Sequence, residues 1–420
     1  MRLGRRVTNG WDLIYEGIYQ GQQVTAGLVG PTGFEAPALM QNMASRAAPA
    51  SINITKAKID AITSRMSKHR PYPVISAEDA GWTEKRFARR TSSVLRTKLG
   101  QATNEYQRSL VKRDALIRGT GVMKVVRTER NGVYDVGIER CVRSEVLVGS
   151  REAYWGCPRQ MFQIRTYPME VLRACYPEAK RQIEDQATRA GFSDDGWYEW
   201  GDAWVDNSQQ VKVVEAWHLP SGYGTKDGRH VITIADKVLL DEPWTRQRFP
   251  FAFLHWTPPI HGLFGSGLVA DLCGPQAKIN DVVRDIQEAL FYGAQLTVFV
   301  PRQSKINKDH LRSRHPKIVE YEGALPQYVA PLPVSPQLFQ FLDWLLNICD
   351  DLSGLSRDFQ SGNTQLGANA SGRAQIVLDD IQSDRFALFQ LHDSLSMVDV
   401  GALVIDEARA IAAECPKSEQ

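Results

Sequence analysis

Residues 249–293 constrain this chain more than any other stretch. The apolar run Phe251–Trp256 ends at Pro258-Pro259, and glycines follow at 262, 265 and 267. Apolar residues then recur at Leu268, Leu272, Ile279, Val282, Val283, Ile286, Ala289 and Leu290. The short run reads as a strand and the glycines as a hinge. The recurrence reads as a long amphipathic helix, with Lys278, Asp281, Arg284, Asp285 and Glu288 on its other side. Proline has no N–H to donate and is tolerated in a first turn, so the regular helix is expected to begin at Pro275.

The 420 residues suffice for two or three domains or one elaborated one, and with 43% hydrophobic and 23% charged residues an ordinary core is expected. A net charge of +2 argues against a chain dedicated to gripping nucleic acid, but not against a channel that DNA passes through. Cysteines at 141, 157, 175, 273, 349 and 415 form no C-x-x-C pair, which suggests free thiols in a reducing compartment. The basic start, Met1–Arg6, is followed by no apolar run of signal-peptide length. No unbroken apolar stretch of about 18 residues occurs, so no membrane span is expected.

Residues 1–50 show little periodicity and read as a loose arm with one short helix around Trp11–Tyr19, either a terminus of little order or an arm that packs on a neighbouring subunit. Residues 51–69 form a helix on Ile54, Ala57, Ile59, Ile62 and Met66, stopped by Pro71 and Pro73. A longer helix is expected over 83–118, with Thr83 as N-cap and Gly119 as its end. It carries ten Lys/Arg against three acids, either a solvated face or a surface facing DNA or an acidic partner subunit. Strands follow at 121–127 and 133–139, joined by a hairpin turn at Asn131-Gly132, and another fits 145–148. Residues 178–209 read as an exposed insertion with Trp197, Tyr198, Trp200 and Trp204; Asp194-Asp195-Gly196 lacks the alternating ligands of a calcium loop. Further strands fit 211–219, 230–234 and 238–240, and Trp217 and Trp256 read as core aromatics.

Beyond the long helix, 295–301 reads as a strand, and 302–334 is basic and then proline-rich. Ser335-Pro336 opens another helix, with Leu338, Phe339, Leu342, Leu345, Leu346 and Cys349 along one side, ending at Ser353-Gly354. Residues 354–372 contain four glycines among small polar residues and read as a mobile loop. Residues 373–414 read as one long helix or two in series, net −5.

In this order, the features resemble the portal (head-to-tail connector) proteins of tailed double-stranded-DNA bacteriophages. The resemblance is carried by Pro250-Phe251, the apolar strand, the glycine hinge and the helix bearing Gln276 and Asn280. It extends to Arg118-Gly119-Thr120-Gly121 before the hairpin, Phe162–Thr166, the helix ending at Tyr176-Pro177, Glu215-Ala216-Trp217 and Val238-Leu239-Leu240. Gly354-Leu355-Ser356 and Ser371-Gly372-Arg373-Ala374 complete it. Residues 150–157 depart from the family, with Glu152 the single acid where an aspartate-rich loop is expected.

The resemblance implies an α+β portal fold. Its parts would be an N-terminal arm (1–50), a wing (51–267), a first stem helix (268–293), a small α/β clip (294–334), a second stem helix (335–353), a tunnel loop (354–372) and a long wing or crown helix (373–420), without a long C-terminal barrel. It implies a dodecameric homo-oligomeric ring at one capsid vertex, in the virion and, during assembly, in the host cytoplasm. The implied partners are the terminase large subunit, the major capsid and scaffold proteins, a head–tail adaptor and double-stranded DNA held without sequence preference. No cofactor, metal, membrane or catalytic residue is implied. Arg357, Gln360, Asn363, Gln365, Asn369 and Arg373 would form the tunnel loop facing DNA, and Asp281, Asp285, Glu288 and Asp343 would line the channel. Arg302, Lys305, Lys308, Arg312, Arg314 and Lys317 would form the clip surface that meets terminase or adaptor.

Two other readings compete. One is another ring-forming head–tail adaptor. The other is a nucleotide-binding enzyme using Gly265-Ser266-Gly267-Leu268-Val269-Ala270, a G-x-G-x-x-A between strand and helix. Against the second stand Pro258-Pro259, which separate the strand from the glycines, and the lack of a second strand ending in an acid at the right distance. No P-loop, H-E-x-x-H or G-x-S-x-G is present. His255 and His261 could flank a metal with Cys273, although histidines beside a strand are more often structural. Asp350 and Asp351 are adjacent and diverge on a helix, so they form no dyad.

Overall fold

The computed structural model describes residues 52–77, 81–130, 132–190, 210–222, 224–235, 237–293, 297–299, 327–329, 334–355 and 386–414, together with Tyr15 and Tyr19. Helix α1 (Ile54–Lys68) buries Ile59, Ile62 and Met66 along one face. Asn53 caps it, its side-chain oxygen accepting from the Lys56 amide at 2.8 Å. Tyr15 and Tyr19 are helical and pack on the same core, and the Tyr19 hydroxyl donates to Asp60 at 2.7 Å.

The basic segment expected as one helix over 83–118 is two, α2 (Trp82–Leu99) and α3 (Ala102–Arg118). The break falls at Gly100, where Asn104 Nδ2 donates to the Lys98 carbonyl at 2.7 Å. A glycine inside a helix costs about 1 kcal/mol relative to alanine, and a side chain that satisfies a terminal carbonyl favours stopping there. The N-cap is Gly81 rather than Thr83; the Gly81 amide donates to the Glu84 carboxylate at 3.2 Å. Helix α3 ends at Gly119, which takes φ +85°.

Strands β1 (Thr120–Arg130) and β2 (Val133–Cys141) form the expected hairpin, with Arg130 opposite Val133 and Gly132 at φ +77°. Strands β3 (Val146–Val148), β4 (Gln160–Pro168), β5 (Gln210–His218), β6 (Arg229–Ile234) and β7 (Lys237–Pro243) make a second sheet in that order. Strand β8 (Phe251–His255) returns to β1, giving β2–β1–β8, and every pairing described in both sheets is antiparallel. A buried lysine links the sheets. Lys124 of β1 donates to Gln163 of β4 at 2.9 Å and lies 2.5 Å from Glu215 of β5, above the Trp217 ring.

Short helices α4 (Ser150–Ala153) and α5 (Met169–Cys175) lie between these strands. The segment expected as an exposed insertion begins instead as a packed helix, α6 (Lys180–Ala190). Ile183 is fully buried against Leu172, Val211, Val213 and Ile234, so the helix covers one face of the second sheet. Residues 191–209, with the four aromatics and the Asp-Asp-Gly, lie outside the described residues.

Helix α7 runs Leu268–Gly293, so it starts ahead of Pro275 rather than at it. Burial explains this. Leu268, Val269 and Leu272 are at most 1% exposed, and each is worth about 1.5–3 kcal/mol, against about 3 kcal/mol for an interior proline. Strands β9 (Thr297–Phe299) and β10 (Gln327–Val329) pair antiparallel. Helix α8 (Pro336–Ser353) opens on the expected Ser335 cap and ends at Gly354, φ +69°. Helix α9 (Ala387–Glu414) buries Phe389, Met397, Val400, Leu403, Val404 and Ile411 in the main core, against β1, β2 and β8. It is long and apolar enough to cross a membrane by length and composition alone, a property hidden in the sequence because Asp393, Asp399, Asp406 and Glu407 interrupt it.

Candidate functional site

Helices α7 and α8 lie side by side, packed through Ile279, Val282 and Ile286 on one and Leu342, Leu345 and Cys349 on the other. On α7 the acids lie away from that buried line. Asp285 and Glu288 are exposed, and half-buried Asp281 accepts from Arg284 at 2.8 Å. Asp343 of α8 is exposed as well. The four stem acids named from the sequence are thus on the outer surfaces of one helix pair. Arg357, Gln360, Asn363, Gln365, Asn369 and Arg373 lie outside the described residues, as do Arg302, Lys305, Lys308, Arg312, Arg314 and Lys317.

The pair is anchored to α1 at two places. Gln276 Oε1 accepts from the amides of Ile54 and Thr55 and from the Thr55 hydroxyl, at 3.0–3.2 Å, while its Nε2 donates to the Ile52 carbonyl at 2.6 Å. Asn280 Oδ1, one turn on, accepts from the Ile52 amide at 3.2 Å. Lys58, 2% exposed, lies 2.5 Å from Asp350 and donates to the Leu355 carbonyl at 2.6 Å, where α8 ends. Asp350 is therefore an ion-pair partner, and Asp351 points elsewhere into solvent.

The glycine hinge packs against the chain itself. A Cβ on Gly119 would overlap the Gly265 backbone, and one on Gly267 would come within 2.6 Å of the Ile117 carbonyl. The Gly265 amide donates to Thr120 Oγ1 at 2.9 Å. Close backbone approach is thus used to seat the hinge on the α3–β1 junction, where a dinucleotide loop would keep it for a pyrophosphate. The strand before the hinge is antiparallel to its neighbour, unlike the parallel strands of a dinucleotide-binding βαβ unit.

The two histidines that could flank a metal make other contacts. His255 Nδ1 is 3.1 Å from Thr120 Oγ1, and burial, with His392 and Arg143 nearby, holds its imidazole down to about 4. His261 stacks on Tyr154 at 4.8 Å. Among the described residues, no three of His, Cys, Asp or Glu gather as metal ligands. The described cysteines are free thiols, and burial pushes Cys141 up to about 12.

A second polar centre lies deeper. Asp393 of α9, 2% exposed, has one oxygen 2.8 Å from both Arg108 and Lys112 and 3.4 Å from His69. Lys112 also donates to the Met66 and His69 carbonyls, and burial, opposed by Asp393, lowers its amine to about 8. This cluster ties α1, α3 and α9 together. The sequence held a signal for it and for Lys58: each charged residue falls on an otherwise apolar helix face. Gln276 was marked by resemblance alone, although a carboxamide between Leu272 and Ile279 on the buried side asks for a partner.

The chain matches no model of a known protein family, and no curated protein matches it.

Proposed function

We propose that this chain is a portal protein of a tailed double-stranded-DNA phage. In this reading it forms a dodecameric ring at one capsid vertex, docks the terminase and later a tail adaptor, and conducts DNA in and out. One observation carries the reading: the order of parts. An α+β body leads through a glycine hinge into a long helix, then a segment with an antiparallel strand pair, then a second helix packed on the first. The last helix then packs back onto the body. This is the succession of wing, stem, clip, stem and wing helix that the resemblance implies.

The physics of a conduit is consistent with that order. Duplex DNA carries one negative charge per about 1.7 Å of axis, so acids on a channel wall repel it and keep it sliding. Asp281, Asp285, Glu288 and Asp343 supply such acids on the outer surfaces of α7 and α8. Arg357 and Arg373 in the loop would add weak, sequence-independent phosphate contacts.

Negative-stain microscopy of the purified protein, with mass photometry, tests the reading. A ring of about a dozen copies around an open hole is the expected result. A compact monomer that fails to form rings even with the phage's scaffold protein would overturn it. Arg357→Ala with Arg373→Ala is expected to lower packaged-DNA yield while rings still form.

A further inference from the structure

The outer face of α2 has no role in the conduit reading. Lys85, Arg86, Arg89, Arg90 and Arg96 are all exposed. At 3.6 residues per turn they fall within an arc of about 140°, and from Lys85 to Arg96 they span about 16 Å. The rest of that arc is Trp82, Ser93 and Thr97, and it holds no acid. Glu84 lies on another flank, where it accepts from the Gly81 amide. Lys98, also off the stripe, pairs with Asp135. Among the described residues, none of the five stripe cations has a carboxylate at salt-bridge distance; Arg86 lies over the Trp82 ring at 5.3 Å.

Such a face is unfavourable in isolation. Lys85 with Arg89, and Arg86 with Arg90, are like charges at i,i+4, which destabilise a helix. A polyanion would turn that repulsion into attraction. Protein–protein interfaces keep charge out of their centres and put apolar side chains there, whereas nucleic-acid interfaces are strongly positive throughout. Here five cations dominate the face, Trp82 between them is its one exposed aromatic and lies under Arg86, and the exposed apolar residues Phe87 and Val94 lie at its flank. The span exceeds the major groove's width of about 12 Å, so one helix can reach phosphates on both rims. The small net charge of the chain conceals this face because acids elsewhere balance it.

We propose that α2 is a phosphate-binding ridge for duplex nucleic acid, recognising the backbone without reading sequence. The inference is independent of the conduit reading, because the ridge requires neither a ring nor the loop.

The test is fluorescence anisotropy of the full chain with an arbitrary labelled DNA duplex, at several salt concentrations. Wild type is expected to bind with log K falling linearly against log salt, with a slope near −4 to −5 for about five phosphates neutralised. Changing Lys85, Arg86, Arg89, Arg90 and Arg96 together to Gln is expected to cost at least 100-fold in affinity. Arg89→Gln alone is expected to make the slope shallower by about one, and Arg89→Lys to leave it unchanged. Circular dichroism and the melting temperature check that the variants fold, which exposure of the whole face favours. A five-site variant that binds duplex as wild type does would overturn the proposal. So would a wild type that ignores the duplex but binds poly-glutamate, which would point to an acidic protein partner instead. Neither result bears on whether the protein forms rings.

Discussion

Gln276 Oε1 on α7 lies 3.1 Å from the Thr55 amide in the first turn of α1, so one helix caps another. First-turn amides have no partner within their own helix, and here a single carboxamide oxygen takes two of them and the Thr55 hydroxyl. Gln276→Leu would leave those donors buried and unsatisfied. It is expected to cost about 2–3 kcal/mol, read as a lower urea midpoint at unchanged slope. Gln276→Glu keeps the acceptor but sets a second carboxylate oxygen against the Ile52 carbonyl, so its loss at neutral pH should be as large, and it should shrink as pH falls to about 4, where a protonated carboxyl can donate to Ile52 again. A Gln276→Glu loss that does not shrink relative to that of Gln276→Leu at low pH would count against the cap.

The hinge glycines make a second prediction. Gly119 combines φ +85° with backbone contact to Gly265, so Gly119→Ala is expected to cost about 3 kcal/mol or more. Gly274, inside α7, has open space where a Cβ would go. Gly274→Ala should instead stabilise by about 0.5–1 kcal/mol through helix propensity. Thermal unfolding of both variants decides it, and a neutral Gly119→Ala would refute the close approach.

How far the sequence revealed this structure depended on the range of the interactions. The β1–β2 hairpin, the Ser335 cap and the Gly354 stop were legible because the chemistry of each lies within a few residues. The start of α7 was misread because a local rule about Pro275 lost to burial of Leu268 and Leu272 against distant elements. The break at Gly100 was missed because ten basic residues make a continuous helical pattern, and one side chain, Asn104, favours the interruption. The stem acids were legible as the polar side of an amphipathic helix. The anchors that orient the stem were not, since Lys58 to Asp350 and Gln276 to Thr55 join residues more than two hundred positions apart.

Asp393 supports a third prediction. Removing it leaves Arg108 and Lys112 as buried cations without a counter-charge, and breaking such a cluster typically costs about 3–5 kcal/mol. Asp393→Ala is therefore expected to lower the melting temperature sharply. Adding Lys112→Met removes one orphaned charge and should recover part of the loss. A double variant no better than the single one would show that the ions are not coupled.

The link between β5 and β6 predicts a pH dependence. Burial pushes the His230 imidazole down, but hydrogen bonds to Glu215 and Glu242 outweigh it, and the net shift is upward from 6.5. Burial pushes Glu215 up, but His230 and Lys124 outweigh it, and the net shift is downward from 4.5. The histidine's contribution is full below its unfolded value and is lost as pH rises through the folded one. The glutamate's is full above its unfolded value and is lost as pH falls through the folded one. Both are therefore complete between 4.5 and 6.5. His230→Gln is expected to cost about 1–3 kcal/mol near pH 5.5, with the gap from wild type narrowing as pH climbs past the raised histidine value. Melting curves across pH check it, and a gap that widens with pH would reverse the assignment.

Lys58 sits where α1 meets the end of α8, 2.5 Å from Asp350 and 2.6 Å from the Leu355 carbonyl. Its chain runs through the core, so Lys58→Met keeps most of the packing and removes the ammonium, with both its ion pair and its hydrogen bond. Asp350 is 15% exposed and can recover some hydration, so the expected loss is about 2–3 kcal/mol, below that of a fully buried pair. The more telling readout is local. With no donor on the Leu355 carbonyl, the last turn of α8 loses its tie to α1. Amide hydrogen exchange should then speed up across 350–355 while the first turn of α8 keeps its protection. Asp350→Asn alone should speed that exchange less, because the Leu355 bond survives, while costing more overall stability than Lys58→Met, because it leaves buried Lys58 without its counter-charge. Under the conduit reading, Lys58→Met would still form rings but would hold the base of the channel loop less firmly. Unchanged exchange at 350–355 would show that the pair fixes nothing beyond its own two residues.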